Sequence, residues 1–170
     1  GPLTLDGRYA NANLRSLPSA LAIPPVETTL GGTYAISGRD SAWQATTTLD
    51  ASVVEGGGIA PGAIATLDTR GAVVAYGFTG TIADLDLTRL ATHLPGAADV
   101  LRRIGGPVSG DVQAQLQGTT LDTLAGRIDL ALVDSTVSGV VVDRGTVTAT
   151  IVNHALVADV SVEARGVSDR

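Results

Sequence analysis

Long runs in which apolar and polar residues alternate constrain the fold of this chain more than any other feature of its sequence. Residues 126–137 read GRIDLALVDSTV, and the same alternation appears in residues 110–118 (GDVQAQLQG), 145–152 (GTVTATIV) and 154–164 (HALVADVSVEA). A period of two over eight or more residues is typical of a β-strand with one buried and one solvated face. Short turn sequences such as Asp143-Arg144-Gly145 separate the runs. The sequence therefore predicts a mainly β chain, built as an antiparallel sheet.

Residues 86–106 depart from this alternation and follow a helical period. They read DLTRLATHLPGAADVLRRIGG, and apolar residues recur in them at i, i+3, i+4 and i+7. The pattern predicts one short amphipathic helix near 86–104, kinked or split at Pro95. Asp84 and Asp86 could be read as a pair of catalytic carboxylates. Asp86 directly precedes the helix, however, so we interpret it as the N-cap.

The chain also resembles itself at a spacing of 74 to 86 residues. The corresponding segments are Gly31-Gly32 with Gly105-Gly106, Ser52–Gly56 with Ser135–Gly139, and Gly80 with Gly166. These matches predict two β repeats, residues 1–80 and 81–170, of which the second begins with the helix, in an elongated or solenoid-like sheet. Gly1-Pro2 resembles the remnant of a protease-cleavage site, so we expect the chain to be a fragment of a longer protein.

The composition excludes several classes of function. The chain of 170 residues contains no Cys, so it has no disulfide framework, thiolate nucleophile or Cys-ligated zinc site. Its 11 basic residues are all Arg, and 17 acidic residues give it a net charge of −6. Nucleic-acid binding depends on neutralising phosphates, and an acidic chain without a basic run is poorly suited to it. We therefore expect no nucleic-acid partner.

No pattern of residues in the sequence predicts catalysis, a metal or a cofactor. His93 and His154 are the only histidines, and neither has an acidic residue or another histidine at ligand spacing. Gly56-Gly57-Gly58 lacks the Lys-Ser/Thr of a phosphate-binding loop and predicts a bulge or flexible corner instead. The aspartates are spread over different predicted strands rather than gathered in a calcium-binding loop. The sequence therefore predicts a protein that is not an enzyme and holds no metal or cofactor.

Only 3% of the residues are aromatic although 44% are hydrophobic. A closed core of this size usually contains large aromatic side chains, whereas an inward face of Val, Leu, Ile and Ala can leave a continuous apolar channel. Trp43 and Tyr76 lie in alternating segments, and are either core residues or residues at the rim of such a groove. The candidate groove-lining residues are Trp43, Leu49, Val53, Val74, Tyr76, Phe78, Ile82, Val112, Leu116, Ile128, Leu130, Leu132, Val147, Ile151, Leu156, Val160 and Val162.

The segments after residue 80 resemble the repeats of the AsmA-like and TamB family. Those repeats consist of a strand that ends in a short helix, a strand bounded by glycines, a connector, a further strand and a hairpin. The corresponding segments here are residues 86–90, 106–118, 118–126, 130–139 and 145–166. Residues 9–80 resemble the same unit with a weaker helix, so the resemblance covers nearly the whole chain. It is carried by glycines and alternation rather than by an invariant set of residues.

The resemblance implies a fold, a location and a function. AsmA-like proteins are anchored in the inner membrane and cross the periplasm as a long sheet that is folded into an open trough, the β-taco, with an apolar concave face. This chain would then be a periplasmic segment that conducts or shields phospholipid acyl chains between the inner and outer membranes, or assists outer-membrane biogenesis. The implied partners are phospholipids, adjoining repeats of the full-length chain and outer-membrane assembly proteins. The family has no active site.

A second interpretation belongs to another functional class. A β-sandwich or β-solenoid interaction module, such as an adhesin repeat, also contains alternating strands and Gly turns without catalytic residues. In such a module the apolar faces meet in a closed core and leave no groove. Phospholipid that co-purifies with the protein would favour the trough, whereas a compact globule in small-angle scattering would favour the module.

Overall fold

The computed structural model describes residues 2–17, 25–94, 97–118, 123–152 and 155–164. Over these residues the chain is mainly β, and eleven strands form one antiparallel sheet. The predicted fold class, a mainly β chain with an open antiparallel sheet, is confirmed. The strands are β1 (Leu3–Ala12), β2 (Thr28–Arg39), β3 (Ala42–Leu49), β4 (Ser52–Val54), β5 (Gly57–Ile59), β6 (Ile64–Asp68), β7 (Ala75–Leu85), β8 (Val108–Gln117), β9 (Ala125–Val137), β10 (Val140–Val152) and β11 (Ala155–Ala164). The helical segments are a 3-10 turn at Leu14–Ser16 and the helices α1 (Leu87–Ala91) and α2 (Ala98–Ile104).

The sheet is an up-and-down meander in which all paired strands run antiparallel. β3 continues into β4 across residues 50–51, and β5 continues into β6 across residues 60–63, so each of these pairs forms one bent row. With these two pairs merged, the sheet has nine rows, and β1 and β11 are its edges. Because the direction reverses from each row to the next, β1 and β11 run in the same direction.

The pairing register places most of the apolar residues of the nine rows on one side of the sheet. Residues that pair directly across two strands share a face of the sheet. Both members of the pairs Leu5–Ile36 and Leu67–Tyr76 are apolar, so neighbouring strands place apolar side chains on the same face. We call this side the apolar face. The opposite side, the polar face, carries mainly Thr, Gln and charged residues, including Thr46, Thr66, Gln113, Gln115, Arg127, Asp129 and Thr148.

The two helices pack on one end of the apolar face and complete the main hydrophobic core. Leu87 of α1 and Ile104 of α2 pack against Val108, Leu132 and Val142 of the sheet. Val108 and Val142 are fully buried there. The apolar residues that recur at helical spacing in the sequence are thus the residues that pack against the sheet.

The predicted helix near 86–104 consists of two helices in the structure. α1 begins at the predicted N-cap, since the Asp86 carboxylate accepts a hydrogen bond from the backbone N–H of Thr88 at 2.9 Å. α2 ends at Ile104 and is capped by Gly105, whose backbone φ of 76° is positive, a region that glycine favours. Pro95, where the kink or split was predicted, lies outside the described residues.

Two hairpins of the sheet have the same construction and are 83 residues apart. Ser52 and Ser135 are both buried, and the hydroxyl of each accepts a backbone N–H from the neighbouring strand. Each hairpin then closes in a two-residue turn with positive φ at both positions, Glu55-Gly56 in one and Ser138-Gly139 in the other. The two segments therefore correspond in structure as well as in sequence.

The structural counterpart of Gly32 differs from the one that the sequence comparison predicts. Gly32 pairs with Leu49, and its structural counterpart Gly110 pairs with Leu132. The counterpart of Gly32 is thus Gly110 rather than Gly106, because the β2–β3 and β8–β9 pairings determine the match. Gly166, the third predicted match, lies outside the described residues.

The expected boundary between residues 80 and 81 lies inside β7. This strand pairs with β6 on one side and with β8 on the other. The two predicted repeats therefore share one continuous sheet, and hydrogen bonds cross the boundary between them. The Gly56-Gly57-Gly58 segment, predicted as a bulge or corner, forms the β4–β5 turn and the start of β5.

Candidate functional site

The structure places the predicted groove-lining residues on the apolar face, with one exception. Val74 precedes β7 in phase with Tyr76, and the others lie within strands. Val53 is the exception, because it pairs with Gly58 on the polar face and is 43% exposed. Strict alternation from Leu49 predicts that Val53 shares the apolar face. The register shifts by one residue between β3 and β4, and such a shift inverts the alternation.

Among the residues that the structure describes, the apolar face is covered at the helical end and open at the other. Near the helices, Leu132 and Val147 are 2% and 7% exposed. Farther along the strands, Leu67 is 37% and Leu5 52% exposed. We call this uncovered part the open stripe, a series of directly paired residues that crosses all nine rows and comprises Leu156, Ile151, Gly126, Leu116, Tyr76, Leu67, Ala45, Ile36 and Leu5.

The open stripe is long and uncharged. Neighbouring strands are about 4.8 Å apart, so a stripe across nine rows extends roughly 38 Å along the sheet. The hydrocarbon core of a bilayer, which contains two layers of acyl chains, is about 30 Å thick. The stripe is therefore long enough to contact an extended acyl chain along its whole length. Each of its members is half-buried or exposed, so its side chains are accessible to a ligand.

Two large side chains on the apolar face lie close to the glycines that pair with them. A Cβ built on Gly38 would come within 2.7 Å of the Trp43 ring, and one built on Gly7 within 2.8 Å of the Tyr34 hydroxyl. These rings therefore occupy the space that a side chain at the glycine would fill. Trp43 and Tyr76 are only half-buried. They form part of the accessible apolar surface rather than an enclosed core.

Several apolar-face residues do not appear among the sequence candidates. They are Leu3, Leu5, Tyr9, Tyr34, Ile36 and Leu67. In β1 and β2, glycine stands at three positions of the apolar face, Gly7, Gly32 and Gly38. These glycines interrupt the alternation of apolar and polar residues in both strands. β6 has only five residues, too few for a period of two to be distinctive. The alternation of Leu3, Leu5 and Tyr9 was the one signal that could have identified part of this set.

The ion pairs Asp68–Arg70 and Arg127–Asp129 do not include residues of the open stripe, because Asp68 and Asp129 have the phase of the polar face. Arg70 donates two side-chain hydrogen bonds to the Asp68 carboxylate, at 2.9 and 2.7 Å, and lowers the pKa of this carboxyl to about 2. On the polar face, the Arg127 guanidinium lowers the pKa of Asp129 in the same way. The sheet thus separates a charged, hydrated side from an apolar one.

His93 belongs to a contact that holds the helices in place. Its Nε2 lies 3.0 Å from Oε1 of Glu55, a buried residue in the β4–β5 turn. The equivalent turn between β9 and β10 also contacts the helices, since the Ser138 hydroxyl donates a hydrogen bond to the Arg103 carbonyl at 2.7 Å. Two hairpin turns therefore fix the helical end of the apolar face. His154, the other histidine considered for catalysis, lies outside the described residues.

The described part of the chain contains no group of three or more His, Cys, Asp or Glu side chains that could hold a metal ion. None of its helices is long and apolar enough to cross a membrane. Comparisons with protein-family models, curated proteins and solved structures found no match.

Proposed function

We propose that this chain is a periplasmic segment of an AsmA-like, TamB-type protein, and that its apolar face shields phospholipid acyl chains between the inner and outer membranes. The family assignment draws on the sequence resemblance. The choice of ligand draws on one observation, the open stripe that crosses all nine rows. Large contiguous apolar surfaces on soluble proteins are typical of interaction sites.

The chemistry of the open stripe suits an acyl chain. Burial of each methylene stabilises the complex by about 0.8 kcal/mol, and this contribution has no preferred direction. Leu116, Leu67 and Ile36 offer aliphatic contacts without charge at the surface. A ligand held in this way can move along the stripe by exchanging one set of equivalent contacts for another.

An interaction module with a closed core is the competing function. It requires a second apolar layer that covers the sheet, as in a β-sandwich. Among the described residues, α1 and α2 supply such cover at one end of the face. Leu67 and Leu5 remain 37% and 52% exposed at the other end. The incomplete cover favours a ligand-binding face over a closed core.

The two faces of β6 provide a matched test of lipid binding. Leu67 lies on the apolar face and Ile64 on the polar face of the same strand, with exposures of 37% and 44%. We would purify the wild-type chain, Leu67→Asp and Ile64→Asp after incubation with phosphatidylethanolamine vesicles, and measure bound phospholipid by native mass spectrometry. Circular dichroism and the urea midpoint would confirm that both variants fold.

The proposal predicts bound phospholipid on the wild-type chain and on Ile64→Asp, and at least a tenfold loss on Leu67→Asp. A charge placed in the open stripe must be desolvated when an acyl chain covers it, whereas a charge on the polar face remains in water. Absence of phospholipid from the wild-type chain would overturn the proposal. Equal binding by the two variants would also overturn it, because binding would then not involve the apolar face.

A further inference from the structure

Within the open stripe, all of whose members the structure describes, the hydroxyl of Tyr76 is the only polar side-chain atom. The other members are Leu, Ile, Ala or Gly. Tyr76 pairs directly with Leu67 of one neighbouring row and with Leu116 of the other, so it stands between two leucines of the apolar face. Its side chain is half-buried. A ligand that covers the stripe therefore also covers this hydroxyl.

The Tyr76 hydroxyl has no hydrogen-bond partner among the residues that the structure describes, and it is accessible to solvent. Other polar groups of the apolar face are bonded within the chain. The Trp43 indole N–H donates a hydrogen bond to the Asp40 carbonyl at 2.7 Å. The Tyr9 hydroxyl lies 2.6 Å from the Thr47 hydroxyl. The Tyr76 hydroxyl is thus available to a ligand, whereas these groups are already paired.

A purely hydrocarbon ligand would leave the Tyr76 hydroxyl unpaired. The hydroxyl would lose its hydrogen bonds to water and gain none in return, and burial of an unpaired polar group weakens binding. A ligand with a hydrogen-bond acceptor at this position avoids that loss. A phenol O–H can donate to such an acceptor. In a phospholipid, the acceptor that lies at the polar end of each acyl chain is the ester carbonyl.

The stripe on either side of Tyr76 can hold the acyl chain that is attached to such an ester. Four rows follow β7 in each direction, and a row spacing of about 4.8 Å gives at least about 19 Å of surface without a polar side-chain atom. One acyl layer of a bilayer is about 15 Å thick, which is half of the hydrocarbon core of about 30 Å. An acyl chain whose carbonyl lies at Tyr76 therefore stays on apolar surface in either direction.

We propose that the Tyr76 hydroxyl donates a hydrogen bond to an ester carbonyl of the bound phospholipid. This inference rests on the proposed function and adds a specificity to it, because the stripe then selects hydrocarbon chains that are linked through an ester over chains that are linked through an ether. The aliphatic contacts are equivalent along the stripe. The hydrogen bond to Tyr76 therefore defines the preferred position of the lipid.

A competition between ester and ether lipids tests this hydrogen bond. Dioleoyl phosphatidylethanolamine and its dioleyl ether analogue have the same headgroup and the same chain length, but only the first has carbonyl oxygens. We would incubate the chain with vesicles that contain both lipids in equal amounts, and measure the two bound species by native mass spectrometry. One hydrogen bond corresponds to about a fivefold difference in affinity. The wild-type chain should therefore carry at least about five times more of the ester lipid.

Two tyrosine variants assign the preference to one hydroxyl. Tyr76→Phe removes the hydroxyl and keeps the ring, and it should lower the ratio of ester to ether lipid to about one. Tyr34→Phe is the matched control. Tyr34 is also half-buried on the apolar face, and its hydroxyl also has no hydrogen-bond partner among the described residues, but it pairs with Gly7 and Thr47 outside the stripe. It should keep the preference of the wild-type chain. Circular dichroism and the urea midpoint would confirm that both variants fold.

The carbonyl carbon reports the same contact without competition. Hydrogen bonding moves the carbon-13 signal of an ester carbonyl downfield. A phosphatidylethanolamine labelled at its ester carbonyls should therefore give a bound signal farther downfield on the wild-type chain than on Tyr76→Phe. Identical signals on the two chains would contradict the proposed hydrogen bond.

The competition also separates this inference from the proposed function. If the wild-type chain binds both lipids equally and Leu67→Asp abolishes both, the inference fails while the proposed function stands. A preference for the ester lipid that survives in Tyr76→Phe, or one that is lost in Tyr34→Phe, would also overturn the inference. Binding of neither lipid to the wild-type chain would contradict the proposed function itself, and the inference with it.

Discussion

Glycines at corresponding positions fix how closely the rows of this sheet approach. Gly32 and Gly110 have φ values of 155° and 144°, and a Cβ at either would overlap the backbone carbonyl of the adjacent strand, that of Thr48 or Ala131. A backbone carbonyl in a sheet cannot move aside as a flexible side chain can. These two positions therefore admit only glycine, for both conformational and steric reasons.

Replacement of Gly110 by alanine should weaken the sheet considerably. We expect Gly110→Ala to lower the free energy of unfolding by at least about 2 kcal/mol, because strain at positive φ adds to a backbone clash. Gly139→Ala is the control, since its φ is 79° but no atom lies within 4 Å of the added Cβ, and it should lose about 1 kcal/mol. Urea denaturation measures both, and equal losses would show that the clash with Ala131 is unimportant.

The Asp68–Arg70 pair gives a residue-level prediction about pH. Arg70→Ala should raise the pKa of Asp68 from about 2 toward its ordinary value of 3.8, because the hydrogen bonds to the guanidinium are lost. The pKa in the folded chain is below that in the unfolded chain, so this pair stabilises the fold above about pH 3.8. The stabilisation disappears as the pH falls through 2. An NMR titration of the Asp68 carboxyl tests this, and Arg127→Ala should leave the Asp68 pKa unchanged.

At the scale of elements, alternation predicts the later strands well and the bent rows poorly. The runs at 110–118 and 126–137 correspond to β8 and β9 nearly residue for residue. The rows bend at residues 50–51 and 60–63, where the register with the neighbouring row shifts, and a period of two does not encode such shifts. The shift at residues 50–51 explains why the predicted face of Val53 is wrong.

The first helix depends on a cap that the sequence also predicts. Asp86→Ala should lower the free energy of unfolding by about 1 kcal/mol, because the backbone N–H of Thr88 loses its acceptor. Asp86→Asn keeps a side-chain oxygen at the cap and should retain most of the stability. Thermal or urea unfolding of the two variants makes the comparison. A loss of equal size in both would mean that the carboxylate charge, rather than the capping hydrogen bond, is what matters.

At the scale of the whole molecule, the sheet divides a polar surface from an apolar one. The sequence predicts which side chains share a face, because cross-strand pairing preserves the phase of alternation. It does not predict how far that face is covered. Cover depends on where α1 and α2 pack and on how the β4–β5 and β9–β10 turns hold them, through Glu55 and Ser138. These contacts connect residues that are distant in sequence.

The central claim is that acyl chains bind the apolar face at the open stripe. Paramagnetic broadening of methyl NMR signals by a phospholipid with a nitroxide near the end of one acyl chain tests it most directly. We predict broadening of the Leu67, Leu116 and Leu156 methyls, which lie in the stripe, while those of Ile64 and Val53 on the polar face remain sharp. Equal broadening on both faces, or none on either, would contradict the account.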